Sequence, residues 1–244
     1  MLPLLSLFLF EVNYLSIVKI GWSGGKDSTC AVDLHLEQGD TVKAVCYIPM
    51  FTDTIPLIQK EHYEFILRTA DYFRSKGADV KIVTGITYYD FVHKRSTRGQ
   101  YKGRAFGFPP FVRKWCNFKR DSKLAALAAC VVGDYDYEGV GIAYDEVDRH
   151  TQLNERLRSI LFERLYTEEM CAEYCRSRGL LSPQYNYSNR DGCVLCPHAK
   201  PHEREKWFND YPEARDLVIE LQEFVKRERP EQTPLRGYKW FIEV

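Results

Sequence analysis

Ser16-Ile17-Val18-Lys19-Ile20-Gly21-Trp22-Ser23-Gly24-Gly25-Lys26-Asp27-Ser28 decides the fold. Ser16 to Trp22 is a short β-branched run that stops at a glycine-rich turn. From Asp27 to Gln38 the apolar residues Cys30, Ala31, Leu34 and Leu36 mark a helix that ends at Gly39. Strand, glycine turn and helix in this order form a device for holding pyrophosphate. The two glycines let the backbone approach an anion closely, and the helix amino terminus adds its partial positive charge. Ser23 and Ser28 offer hydroxyls and Lys26 a cation, while Asp27 either caps the helix or positions a magnesium ion. The turn is not a Walker A loop. Three residues, not four, separate Gly21 from Gly25, and Asp27 follows Lys26 where that motif has Ser or Thr.

Outward from this stretch the pattern repeats. Thr41 to Ile48 reads as a second buried strand, Pro56 to about Lys76 as a helix, and Val80 to Val83 as a third strand. Ser122 to Val132 reads as an alanine-rich helix and Gly139 to Tyr144 as a fourth strand. Strands alternating with helices predict an α/β fold, a parallel twisted sheet with helices on both faces. Ligands of such sheets sit outside the carboxyl ends of the strands, which is where the glycine turn lies. The expected organisation is an apolar leader at 1–15, a nucleotide-binding α/β domain at 16–150, and a helical extension at 151–244 packed with it as one unit.

The chain has 244 residues, 45% of them hydrophobic, enough for one large core. Lys plus Arg equals Asp plus Glu at 34 each, so net charge points to no partner. Between His93 and Lys123, however, ten Lys or Arg stand against one acidic residue, Asp121. Aromatics interleave with them: Tyr101, Phe106, Phe108, Phe111, Trp115 and Phe118. Cations suit phosphates and aromatic faces suit bases, so segment 93–123 is expected to meet a nucleic acid, tRNA or DNA. The bland alternative is a solvated loop with some aromatics in the core.

Eight cysteines in a chain of this length do not form a disulfide framework of the small secreted kind. Met1 to Phe10 is apolar but lacks the positive start of a signal peptide, and about 20 residues are needed to span a bilayer. A cytoplasmic protein without a membrane segment is expected. Cys193 and Cys196 have the Cys-x-x-Cys spacing that grips a metal or a cluster edge, and Cys116 in the basic segment is the natural third ligand. Cys193, Cys196, His198 and His202 also read as a compact zinc site. Cys30, Cys46, Cys130, Cys171 and Cys175 are expected in the core.

Ser23-Gly24-Gly25-Lys26-Asp27-Ser28 resembles the signature of the PP-loop, or N-type, ATP pyrophosphatases. Arg113-Lys114-Trp115-Cys116, Gly141 to Arg149 and Asp191 to Pro197, in this order, resemble the phosphoadenosine-phosphosulfate reductase-like branch. The resemblance implies an adenine nucleotide α-hydrolase-like, Rossmann-like fold that binds ATP and Mg2+ at Ser23 to Ser28, with Asp145, Glu146 and Arg149 lining the nucleotide site. It implies cleavage between the α and β phosphates, Lys26, Asp27, Arg113 and Lys114 serving the chemistry. It also implies a [4Fe-4S] cluster on Cys116, Cys193 and Cys196. Asn117 stands where related reductases have a second tandem cysteine, so one iron would take a non-cysteine ligand such as sulfide.

No cysteine follows Cys196, whereas reductases of the branch carry a nucleophilic cysteine near the carboxyl terminus. The expectation is therefore an ATP-dependent sulfurtransferase that adenylates an acceptor, served by a sulfur-donor protein and compatible with a homodimer. A sulfonucleotide reductase and a non-catalytic nucleotide-binding module are the alternatives.

Overall fold

A computed structural model describes residues 15–109, 111–112, 115–234 and 239–242, with backbone alone for 111, 112 and 115. The leader up to residue 14, and Arg113 and Lys114, lie outside the described residues.

Five strands form one sheet: β1 (Ile17–Trp22), β2 (Thr41–Tyr47), β3 (Asp79–Val83), β6 (Tyr137–Gly139) and β7 (Leu157–Arg158). Their order is β3-β2-β1-β6-β7, and every pairing is parallel. The chain moves outward from β1 on one side through β2 and β3, then returns to the other side at β6. The switch point in strand order therefore lies between β1 and β6, at the tip where the glycine turn begins. Two further short strands, β4 (Phe111–Val112) and β5 (Trp115–Cys116), form an antiparallel hairpin outside the sheet.

Pleating sends Val18, Ile20 and Trp22 of β1 to one face, where all three are buried. They pack there with Val32 of α1 (Lys26–Glu37) and with Ile66, Ala70 and Phe73 of α2 (Lys60–Ser75). The opposite face is more polar than a continuous apolar run predicts. Lys19 pairs with Glu138 at 2.8 Å, and Lys43 donates to Asp134 O at 2.6 Å. The wide π-type turn Lys119–Leu124 and the short α4 (Ala125–Ala129) meet this side. Buried Val45 aside, the strands thus alternate more than a sheet sealed on both faces requires.

Four expectations shift. The second helix begins at Lys60 rather than Pro56, because Pro56 bridges Met50 and its carbonyl accepts the Trp207 indole at 2.9 Å. Leu57 and Ile58 are buried in that loop, not on a helix. The fourth strand is Tyr137–Gly139, not Gly139 to Tyr144. Past it the chain leaves the sheet and packs on α1: a side chain at Gly141 would meet Ser28 N at 2.7 Å. The alanine-rich helix ends before Cys130, which is half-buried on the surface and not in the core.

Residues past 150 contribute β7 to the sheet and α7 (Glu168–Ser177) to the flank of α1, where Cys171 and Cys175 are buried with Cys30. A second core forms beyond the strand tips. Phe51, Leu57, Phe108 and Phe118 from the inter-strand connections, with Tyr88 and Phe91 of the short α3 (Tyr88–His93), pack there against α8 (Pro201–Asp210) and α9 (Pro212–Glu228). Trp207, fully buried, is its keystone, and burying each such side chain contributes about 1.5–3 kcal/mol. No helix among the described residues is long and apolar enough to cross a membrane.

Candidate functional site

The glycine turn is built by its own hydroxyls. Ser28 Oγ accepts from Ser23 N at 3.2 Å and donates to Gly25 O at 3.1 Å, and Gly25 N donates to Ser23 Oγ at 3.3 Å. Gly24 takes φ +77°, which a side chain would strain. The Trp22 indole donates to Thr29 Oγ1 at 2.9 Å, clamping the strand end to the first turn of α1. Lys26 Nζ is held by Asp27 at 2.9 Å and Glu168 at 2.8 Å. Burial works against its charge, but these two carboxylates outweigh it and raise its pKa. Burial raises Asp27; Lys26 opposes this, while Glu168 and Glu146 stand close enough to add to it. Asp27 is thus a partly buried carboxylate at the helix start, a place that suits a divalent cation.

Two groups from the last third close on this turn, and sequence reading missed both. Asp191 Oδ2 accepts from Ser23 Oγ at 3.1 Å and lies 2.6 Å from where a side chain at Gly25 would begin. The Tyr185 hydroxyl accepts from Lys26 N at 3.1 Å. Burial pushes that hydroxyl up to about 12. Asp191 sits two residues before Cys193, so its neighbourhood was marked in the sequence; nothing local marked Tyr185 or Glu168.

Ser23 opens onto a cavity of about 270 Å³. Its walls are mostly apolar, with Tyr47, Leu57, Ile58, Tyr88, Phe108 and Phe118 among them. The polar groups are few: Ser23, His62, Lys119, Lys123 and Asp191. Cys116, Cys193 and Cys196 line the same cavity. Burial pushes the Cys193 thiol up to about 12, with Cys196 and Cys116 adding to the cost of a thiolate. Burial lowers Lys123, and Lys119 lowers it further, an effect that Asp191 partly offsets. His62 is buried, with Nδ1 2.8 Å from Ser182 Oγ, and burial holds its pKa below the ordinary histidine value.

Among the described residues, no three His, Cys, Asp or Glu side chains gather closely enough to hold a metal ion. Neither Cys193, Cys196, His198 and His202 nor Cys116, Cys193 and Cys196 form such a group. Three thiols spread around one buried cavity are a soft donor set of the kind that holds an iron–sulfur cluster, whose irons take one thiolate each.

No family model matches the chain, and no curated protein matches it. Among solved structures it is similar to a 4-thiouridine synthetase crystallised in complex with RNA and bound ATP. The identity is 16% and the TM-score 0.40, over 85% of this chain and 53% of that one. This chain thus spans about half the length of its neighbour. At these values the likeness carries no argument about chemistry.

Asp145, Glu146 and Arg149 are not among the described residues that line the cavity. They form the turn leading into and through α5 (Val147–His150), beside the first turn of α1. Asp145 accepts from Glu168 N at 3.1 Å, Glu146 accepts from Ala143 N at 3.2 Å, and Arg149 pairs with Glu146.

The basic segment divides. Lys119 and Lys123, one turn apart, face the cavity. Lys94 and Arg120 pair with Asp121, Arg95 with Glu228, and Arg104 with Glu231. Phe108 and Phe118 are core, Phe106 packs against it, and exposed Tyr101 lies under Arg104 and Arg229. Phe111 and Trp115 have no described side chains. The alternation of rings and charges is thus in part that of a segment packed on a core, with two of its cations paired to its own Asp121 and two to acids on and just beyond α9.

Proposed function

We propose that the protein is an ATP-using enzyme of the PP-loop type, an ATP-dependent sulfurtransferase whose acceptor is a base of a nucleic acid, tRNA or DNA. One observation carries this reading: Ser23 of the phosphate turn and the thiols of Cys116, Cys193 and Cys196 line a single cavity. Nucleotide activation and sulfur chemistry then share a space large enough for one small planar group.

Ser23 to Ser28 hold the β and γ phosphates through backbone N–H groups and hydroxyls, with Lys26 neutralising charge and Asp27 positioning Mg2+. Asp145, Glu146 and Arg149 complete the nucleotide site from the neighbouring turn. Lys119 and Lys123, with Arg113 and Lys114, hold the acceptor and neutralise charge that develops at phosphorus. An acceptor carbonyl oxygen attacks the α phosphorus, the α–β phosphoanhydride bond breaks, and pyrophosphate leaves. A sulfur nucleophile then attacks the activated carbon, and the carbon–oxygen bond breaks to release AMP. A [4Fe-4S] cluster on Cys116, Cys193 and Cys196, when bound, supplies an iron with an open position for inorganic sulfur. The apolar walls keep water from the adenylated acceptor.

Anaerobically purified protein incubated with α-labelled ATP tests this. AMP release that requires both sulfide and an acceptor nucleic acid is the expected result. Sulfite release from adenylylsulfate or its 3′-phosphate without ATP cleavage would make the protein a reductase. Neither activity, with nucleotide still bound, would make it a binding module.

A further inference from the structure

The phosphate turn is occupied by the protein's own oxygens. Asp191 Oδ2 accepts from the Ser23 hydroxyl at 3.1 Å, and the Tyr185 hydroxyl takes the Lys26 N–H at 3.1 Å. Both oxygens also crowd Gly25, at 2.6 Å and 3.4 Å from where its side chain would start. Backbone N–H and hydroxyl groups at a helix start are the donors that a phosphate oxygen would use. A carboxylate and a phenol oxygen therefore sit where anionic oxygens belong.

The two residues belong to one segment that bonds both to itself and to α8, where the Ser188 hydroxyl is hydrogen-bonded to Glu203 and Arg190 pairs with Glu203 at 3.7 Å. A short 3₁₀ turn, Pro183–Asn186, carries Tyr185. The Gln184 side chain and the Ser188 hydroxyl both donate to Arg190 O, which fixes the approach of Asp191. Ser182 meets His62, and Tyr187 donates to Glu61 at 2.9 Å, hinging the segment on α2. Two residues past Asp191 comes Cys193, and Val194 N is anchored to Leu57 O at 3.0 Å.

We infer that residues 183–192 are an internal phosphate mimic, which a nucleotide must displace by expelling Asp191 and Tyr185 from the glycine turn. The inference rests on the phosphate-binding reading of Ser23 to Ser28 and adds a regulatory element to it. A triphosphate and the Asp191 carboxylate are both anionic and compete for the same donors, so seating one ejects the other. Because the displaced segment leads directly into Cys193, nucleotide binding reshapes the wall of the cysteine cavity. The acceptor space is then remade only when nucleotide is present, which protects an activated intermediate from forming in a misshapen site.

The test uses the full chain, magnesium and an ATP analogue with a methylene group in place of the α–β bridging oxygen. Asp191→Asn and Tyr185→Phe each weaken the mimic, and each is expected to tighten analogue binding, by about tenfold for Asp191→Asn. Should the Asp191 variant fail to fold, Tyr185→Phe, which keeps the ring, reads the same direction. Amide hydrogen exchange on the wild type gives a second readout: with analogue, exchange should slow at 23–29 and quicken at 183–192. Unchanged or weaker binding by both variants, or slower exchange at 183–192, overturns the mimic while leaving nucleotide binding intact. If neither wild type nor variants bind the analogue, the phosphate-turn reading itself falls.

Discussion

The Tyr47 hydroxyl donates to Ser122 Oγ at 2.7 Å, and Ser122 donates in turn to Ile86 O at 2.7 Å. This relay, centred on fully buried Ser122, ties the end of β2 and the loop after β3 to the wide turn that aims Lys119 and Lys123 at the cavity. Ser122→Ala leaves a half-buried phenol and a carbonyl without this partner, a loss of about 1–3 kcal/mol. Urea unfolding measures the loss. In steady-state kinetics the KM for the acceptor should rise more than the KM for ATP, since the relay positions the lysines and not the glycine turn.

Gly141 touches the first turn of α1 through backbone. A side chain there would lie 2.7 Å from Ser28 N and 2.8 Å from Ser28 Cα, atoms that cannot swing aside. Gly141→Ala is expected to cost about 1–3 kcal/mol through overpacking. It should also raise the Kd for ATP by roughly tenfold, as the loop donors shift by tenths of an ångström. Gly21→Ala is the control: nothing lies within 4 Å of its new methyl group, so stability should change by less than about 0.5 kcal/mol.

The cysteines separate by location. Cys116→Ser, Cys193→Ser and Cys196→Ser should each abolish most of the iron and acid-labile sulfide of anaerobically purified protein. They should also remove its broad visible absorbance near roughly 400 nm, while leaving ATP binding in place. Cys130→Ser, at a position not among the residues lining the cavity, should change none of these. A colourless wild-type protein containing stoichiometric zinc would refute the cluster.

His35 makes stability depend on pH. It is buried in α1 with Nδ1 2.7 Å from Asp40 Oδ2, with Glu163, Arg164 and Tyr137 around it, and Nε2 has no hydrogen-bond partner among the described residues. Burial lowers its pKa, which Asp40 only partly opposes. A histidine depressed in the folded state stays neutral while the unfolded chain, with an ordinary value near 6.5, takes up a proton. Its contribution is therefore complete above about pH 6.5 and is lost as pH falls below that value, by about 1.4 kcal/mol per unit of separation. His62, also lowered by burial, adds in the same direction. Urea midpoints at pH 7.5 and 5.5 should show the loss, and His35→Asn, though less stable at pH 7.5, should flatten it.

Much of the fold was legible because its signals are local. The β1 run, the stop at Gly24 and Gly25, and the apolar spacing of α1 each lie within a dozen residues, and α1 begins within one residue of its expected start. Where a distant partner competes, the local signal misleads. Pro56 suggests a helix start, but its carbonyl is taken by Trp207, 151 residues away, and the chain stays irregular until Lys60. Gly139 to Tyr144 has strand composition, yet Gly141 is a glycine because a helix backbone lies against it. β7, two residues long, carries too little pattern to be seen without its neighbour β6.

By itself the sequence determined a parallel α/β sheet with a glycine turn at the tip of its first strand, because strand and helix periods and turn chemistry are written in adjacent residues. Only the tertiary structure decided that Ser23 shares a cavity with Cys116, Cys193 and Cys196, and that Asp191 and Tyr185 reach back onto the turn. Such contacts join residues 159 and 168 positions apart. They exist because burying Trp207 and the aromatic core beyond the strand tips folds the last third over the mouth of the sheet, and no local pattern encodes where that lands.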